Sequence, residues 1–89
     1  MSESQAEQLL EELRKASVAD VLAHTCSLLG SLAYGKLTPE ARDLDQARLA
    51  IESLKALAPL LDEERRRDVQ QLLASLQLAY AAAPAAPSG

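Results

Sequence analysis

His24 and Cys26 are the residues whose types could support metal binding or nucleophilic catalysis, and Asp20 lies close to them in the sequence. On a helix, residues two positions apart point about 200° away from each other, so His24 and Cys26 cannot share one zinc ion or act as base and nucleophile. Asp20 and His24 share a helical face, which favours an ordinary exposed interaction. We therefore predict no metal, cofactor or catalytic site, and we expect Cys26 to behave as a small apolar residue.

The three consecutive arginines Arg65, Arg66 and Arg67 could form an anion-binding or nucleic-acid-binding patch. Successive helical residues point in different directions, however, and Asp62 and Glu63 precede the second and third arginine by four positions, which favours ion pairing. This pattern predicts a solvated helix face. The other carboxylates also lie on polar faces, with no sign of the burial that tunes an acid or base. Together these patterns predict a protein that is not an enzyme.

Composition narrows the class of protein further. The chain has 89 residues, a formal charge of −4 and no Trp or Phe, so its core must consist mainly of Leu, Ala, Val and Ile. A net negative charge disfavours direct binding to nucleic acid. We predict no contact with membrane, because the sequence lacks a run of the roughly 20 apolar residues that would span a bilayer. The polar N-terminus and the single Cys26 lead us to expect a cytoplasmic protein.

The elements that must position these residues begin with a short amphipathic helical segment over residues 1–16, where Ala6, Leu9, Leu10 and Leu13 recur at helical spacing. The stretch from Ser17 to Asp20 resembles a capping box, in which the hydroxyl accepts from the third helical amide and the acid reaches back. This pattern favours a break before the next helix. One unbroken helix over residues 4–34 is the alternative.

The clearest helical pattern follows Ser17, where seven residues form one narrow stripe at about 100° per residue. They are Val18, Val21, Leu22, Thr25, Leu28, Leu29 and Leu32. This first main helix is expected to end at Gly35, because glycine readily adopts the left-handed conformation that closes a helix. We expect residues 35–42, which include Thr38 and Pro39, to form a loop.

Two further helices are predicted. Asp43 can cap the second, with the stripe Leu44, Ala47, Ile51, Leu54, Ala58 and Leu61, and Pro59 either kinks its last turn or ends it. Asp62, Glu63 and Glu64 place negative charge at the start of the third, with the stripe Val69, Leu72, Leu73, Leu76, Ala79 and Tyr80. Ala and Pro dominate residues 81–89, which predicts a disordered tail. The chain is thus predicted to be an all-α protein, with three main helices bundled over residues 17–80.

The order of these segments resembles a bacterial family, the domain of unknown function numbered 1844. Three stretches carry the resemblance: Ser27 to Gly35, Asp43 to Leu54, and Leu73 to Tyr80. The family's Lys-Thr-x-Gly-Asn turn is replaced here by the shorter Ala58-Pro59-Leu60-Leu61, and Gln77 stands where the family has Arg. The resemblance implies a small helical fold and almost no mechanism.

Several leucines fall off the predicted core stripes, and they suggest an interface. We predict that Leu49, Leu57, Leu60 and Leu78 contribute to a contact with a second copy or with another protein. The first hypothesis is a homo-oligomeric helical bundle, with a homodimer as the simplest form, that serves as a protein-interaction module. The alternative is a monomeric accessory factor that docks on a ribonucleoprotein or enzyme complex. A metal-binding or small-ligand protein that uses His24 is the third hypothesis.

Overall fold

The computed structural model of the chain describes residues 2–83. These residues form four α-helices, two short 3-10 helices and no strand, which confirms the predicted all-α class. The elements are α1 (Glu3–Lys15), α2 (Val18–Leu37), a 3-10 helix (Pro39–Ala41), α3 (Leu44–Leu57), a second 3-10 helix (Ala58–Leu60) and α4 (Glu63–Ala82). The sequence predicted three main helices and a short helical segment over residues 1–16; the structure forms that segment as a fourth helix of 13 residues.

The core lies between α2, α3 and α4. Helix α4 runs parallel to α2, because Asp20 and Arg65 meet at the N-terminal ends of the two helices and Gly30 meets Leu72 further along them. Helix α3 connects them in the opposite direction. The buried cluster consists of Cys26, Ala33, Ala50, Ile51, Leu54, Ala58, Leu61, Val69, Leu73 and Leu76. Helix α1 has no buried residue and contributes nothing to this cluster.

The chain breaks between α1 and α2 at Ala16 and Ser17, as the first of the two interpretations predicted. Both residues have extended backbone angles, and the Ser17 hydroxyl accepts from the Asp20 amide at 3.4 Å. The predicted return contact is wrong, because the Asp20 carboxylate instead accepts from the Arg65 guanidinium. A full capping box occurs one helix earlier, where Ser2 and Gln5 cap the start of α1.

The end of α2 differs from the prediction. The helix continues through Gly35 to Leu37, and the residue that stops it is Thr38. Pro39 disfavours a helical conformation in the residue before it, and Thr38 is accordingly extended, with φ −70° and ψ 147°. The amide and hydroxyl of Thr38 both donate to the Gly35 carbonyl, at 3.4 and 2.8 Å. The stop signal was therefore the proline and not the glycine.

The buried face of α2 also differs from its predicted stripe. The fully buried positions are Cys26, Gly30 and Ala33, which are small, whereas Leu28 and Leu32 of the stripe are exposed. A Cβ atom added to Gly30 would lie 2.6 Å from Cδ2 of Leu72, so α2 and α4 approach closely there. Small residues allow this approach. Of the predicted stripe, Leu22 and Leu29 pack against the edge of the core, whereas Leu28 and Leu32 face solvent.

Helices α3 and α4 follow the sequence closely. Asp43 and Asp62 cap them by accepting from the amides of Gln46 and Arg65, at 3.1 and 2.9 Å. Helix α3 ends before Pro59, which confirms the second of the two predicted outcomes. Helix α4 continues to Ala82, two residues into the predicted tail. Ala83, in an extended conformation, caps the helix. Residues 84–89 of the predicted tail lie outside the described residues.

Candidate functional site

Cys26 and His24, whose types could support metal binding or catalysis, lie in different environments. Cys26 is fully buried in the core, and burial raises the pKa of its thiol, so the thiol stays protonated and unreactive. His24 lies on an exposed part of the same helix, and the nearby Asp20 carboxylate is bonded to Arg65. Within residues 2–83, no group of three or more His, Cys, Asp or Glu side chains could hold a metal ion.

Two of the three arginines, Arg65 and Arg67, form ion pairs. The predicted pair between Asp62 and Arg66 is wrong, because Asp62 pairs with Arg65 instead. The Nη2 atom of Arg65 donates to Oδ1 of Asp20 at 2.6 Å, and its Nε lies 3.5 Å from Oδ2 of Asp62. The hydrogen bond to Asp20 is the largest cause of a raised pKa for Arg65; partial burial opposes it, and nearby acidic charges add to it. Arg67 pairs with Glu63 at 3.4 Å, as the helical spacing predicted. Arg65 therefore links the N-terminal ends of α2 and α4 through Asp20, whereas the pair of Arg67 stays within α4.

An exposed apolar groove lies along the outer side of α2, and we call it the α2 groove. It consists of two adjoining hollows of about 380 and 240 Å³ that share Leu32 and Lys36. The first hollow is also lined by Leu28, Ser31, Gly35 and Ala41. The second lies between α2 and α3 and is also lined by Leu29, Gln46, Leu49, Ala50 and Ser53.

The groove walls combine large exposed leucines with small residues. Leu28, Leu32 and Leu49 are 53%, 56% and 60% exposed, so more than half of each side chain's surface faces solvent. Gly35 opens the floor, because an added Cβ there would meet nothing within 4 Å. Lys36 contributes the charged group that both hollows share. A contiguous apolar surface of this kind is typical of a protein-binding site.

The four leucines predicted for an interface occupy separate positions. Leu49 lines the α2 groove. Leu57 is half-buried and packs against the core, so the intrachain bundle already uses much of its surface. Leu60 is exposed in the 3-10 helix after α3, and Leu78 is exposed on α4. Sequence reasoning missed Leu28 and Leu32 as surface residues because it placed them in the stripe of α2.

A second exposed apolar surface lies on α1. Leu9, Leu10 and Leu13 are 46%, 50% and 60% exposed, and they share one side of the helix. The radius of gyration of the structure is 16.5 Å, compared with about 12 Å expected for a compact chain of this length. Helix α1 therefore projects from the bundle and presents its leucines to solvent.

No single helix within residues 2–83 is long and apolar enough to cross a membrane. Helices α1 and α2, bent by 101° relative to each other, have the necessary length and apolar composition only when they are taken together.

Comparison of the chain with protein-family models, with curated proteins and with solved structures finds no match in any of the three. The resemblance of residues 17–80 to a family of unknown function therefore stays a prediction from sequence. The α2 groove and the leucine side of α1 are the described surfaces that are suited to a partner.

Proposed function

We propose that the protein is a non-enzymatic interaction module that associates with itself, with a homodimer as the simplest assembly. The observation that carries this proposal is the α2 groove, where Leu28, Leu32 and Leu49 line a contiguous surface open to solvent. Scattered exposed leucines are ordinary on a monomer, whereas a contiguous apolar groove favours a partner. A small domain has little core to stabilise it, so burying this surface would also stabilise the fold.

The chemistry of the described residues supports an interaction role over catalysis. The buried thiol of Cys26 is protonated, and Arg65 is engaged by two carboxylates. The charged side chain that both hollows share is Lys36, and the residues that line the groove include no carboxylate, histidine or cysteine. The groove can therefore bind apolar side chains, and its lining residues offer no acid–base pair for a reaction.

The second candidate is a monomeric accessory factor that docks on a larger assembly. Helix α1 favours this function, because it projects from the bundle and exposes Leu9, Leu10 and Leu13. An amphipathic helix with one apolar side is a common way to bind a groove on another protein. Under this hypothesis the isolated protein is monomeric at all accessible concentrations.

The test is the mass of the purified full-length chain, measured by light scattering and sedimentation over a range of concentrations. We expect a dimer at tens of micromolar, which corresponds to roughly 6–7 kcal/mol of association free energy. Replacing Leu49 with Lys is expected to weaken the dimer, because its side chain lines the groove and is 60% exposed in the monomer. A wild-type chain that stays monomeric would reject self-association and favour the accessory factor.

A further inference from the structure

We propose that the α2 groove of one copy binds α1 of a second copy, and that the exchange is reciprocal. This proposal rests on the self-association proposed above and specifies how it is built. The chain carries two apolar surfaces that its own core leaves open, one concave and one convex. Each copy would therefore supply the ligand for the other, in a two-fold assembly that needs no third component.

The shapes of the two surfaces fit each other. Helix α1 has 13 residues and is thus about 20 Å long. Its exposed leucines form a ridge on one side, and the groove offers two hollows separated by Leu32. The open space at Gly35 lets another helix approach the α2 backbone closely. An amphipathic helix seated in a groove by such leucine anchors is a familiar mode of recognition.

The charges of the two surfaces are also complementary. At about 100° per residue, Glu7 and Glu12 border the leucine ridge of α1 on its two sides. The charged group at the junction of the two hollows is Lys36. The basic residues near the end of α1, Arg14 and Lys15, are already paired with Glu11 at 3.4 and 3.8 Å. Glu7 and Glu12 therefore place one carboxylate on each side of the ridge for contact with Lys36. Arg14 lies between Leu10 and Glu7 on the same projection, and its guanidinium is paired with Glu11.

The reach of α1 indicates a second copy and not the same chain. If α1 folded back along its own α2 from Ser17, Leu9 would reach about 12 Å along that helix, whereas Leu32 lies about 22 Å along it. The leucine ridge would then lie beside the first half of α2 and leave the groove empty. In the structure the two helices are bent by 101°, which directs α1 away from the bundle.

Reciprocity also supplies the area that a stable dimer needs. A specific interface involves roughly 20–30 residues on each side, which one short helix in one groove does not provide. In the reciprocal arrangement each copy contributes a groove and a helix, so the buried area is doubled. The same exchange explains why both surfaces occur on one chain.

The experiment is complementation between two broken copies of the full-length chain. Leu10→Glu disables the α1 ridge and leaves the groove intact, whereas Leu32→Glu disables the groove and leaves α1 intact. Both positions are at least half exposed in the monomer, so both variants are expected to fold, which circular dichroism can check. Each variant alone is expected to dimerise with a Kd raised about tenfold to a hundredfold.

An equal mixture of the two variants is the decisive sample. One intact helix then meets one intact groove, so a mixed dimer forms that is stronger than either variant alone and weaker than the wild type. Native mass spectrometry with one variant isotopically labelled identifies it. The matched control is Leu78→Glu, which changes an exposed leucine on α4 outside both surfaces. Leu78 was predicted from sequence to lie in an interface, whereas the exchange of α1 expects this variant to remain fully dimeric.

Three results would overturn the arrangement. If the wild type is a dimer but the mixture forms no mixed dimer, or if Leu78→Glu dissociates it while Leu10→Glu and Leu32→Glu do not, the protein self-associates through another surface. In that case the proposed function stands and the exchange of α1 is wrong. A wild type that is monomeric at all concentrations rejects the exchange and the proposed self-association together.

Discussion

The two sides of α2 differ in a way that reverses the usual expectation for an amphipathic helix. The side that packs in the core carries the small residues Cys26, Gly30 and Ala33, whereas Leu28 and Leu32, on the other side, are more than half exposed. Close approach of α3 and α4 needs small side chains at the contact, so the size of a residue does not mark the buried side here. Leu28 and Leu32 thus remain available for a partner, while Leu22 and Leu29 pack against the core.

A buried and an exposed leucine on α4 give the largest expected difference in the free energy of unfolding. Leu76 is fully buried, and Leu78, two positions later on the same helix, is 73% exposed. Leu76→Ala should lower the free energy of unfolding by about 2–5 kcal/mol, because it leaves a cavity in the core. Leu78→Ala should change it by no more than about 0.5 kcal/mol. Urea unfolding of both variants measures the difference, and similar losses would contradict the assigned orientation of α4.

The two glycines of α2 provide a second, smaller comparison. Gly30 faces Leu72 so closely that any side chain must displace it, whereas Gly35 faces open space. Gly30→Leu should destabilise the protein by about 1–3 kcal/mol through overpacking. Gly35→Leu should be neutral or stabilise the monomer by up to about 1 kcal/mol, because leucine favours a helix interior over glycine.

The measurement for the glycine pair is thermal unfolding followed by circular dichroism, at concentrations low enough to keep the protein monomeric. Gly35→Leu also fills the floor of the α2 groove, so at higher concentration it should weaken the dimer while the monomer stays stable. A Gly30→Leu variant as stable as the wild type would contradict the packing of the Leu72 side chain against Gly30.

The smallest effect concerns pH and the buried thiol. Burial raises the pKa of Cys26 above its ordinary value of 9.0, so above that pH the unfolded chain releases the proton while the folded chain still holds it. The protonated Cys26 thiol therefore contributes its full stabilisation to the folded state below pH 9.0. That stabilisation declines as the pH rises through the folded-state pKa. Comparing urea midpoints of the wild type and Cys26→Ala across that range isolates the effect. Identical pH dependence in both proteins would contradict it.

Local sequence patterns predicted most of the fold. The caps at Ser17, Asp43 and Asp62 each satisfy amides of the helix they precede, and these short-range bonds depend only on neighbouring residues. The stripes of α3 and α4 point into the core as predicted. The end of α2 was misjudged because two stop signals competed, and Pro39 outweighed Gly35.

The candidate site was less predictable. Leu49 was identified from sequence as an off-stripe residue, but Leu28 and Leu32 were not, because their spacing alone looks like a core pattern. Their exposure depends on where α3 and α4 contact α2, which is a property of three helices together. The bond between Asp20 and Arg65 was missed for the same reason, since the two residues are far apart in the sequence.

The break at Ala16 and Ser17 affects how the chain unfolds. Because Ser17 caps α2 directly, α2 keeps its N-terminal hydrogen bond whether or not α1 is helical. A helix of 13 residues without packing partners is only marginally stable in water. Amide hydrogens of α1 should therefore exchange with solvent far faster than those of the bundle, as a separate cooperative unit. In a complex that holds α1 in a groove, these amides would exchange only as fast as the complex dissociates.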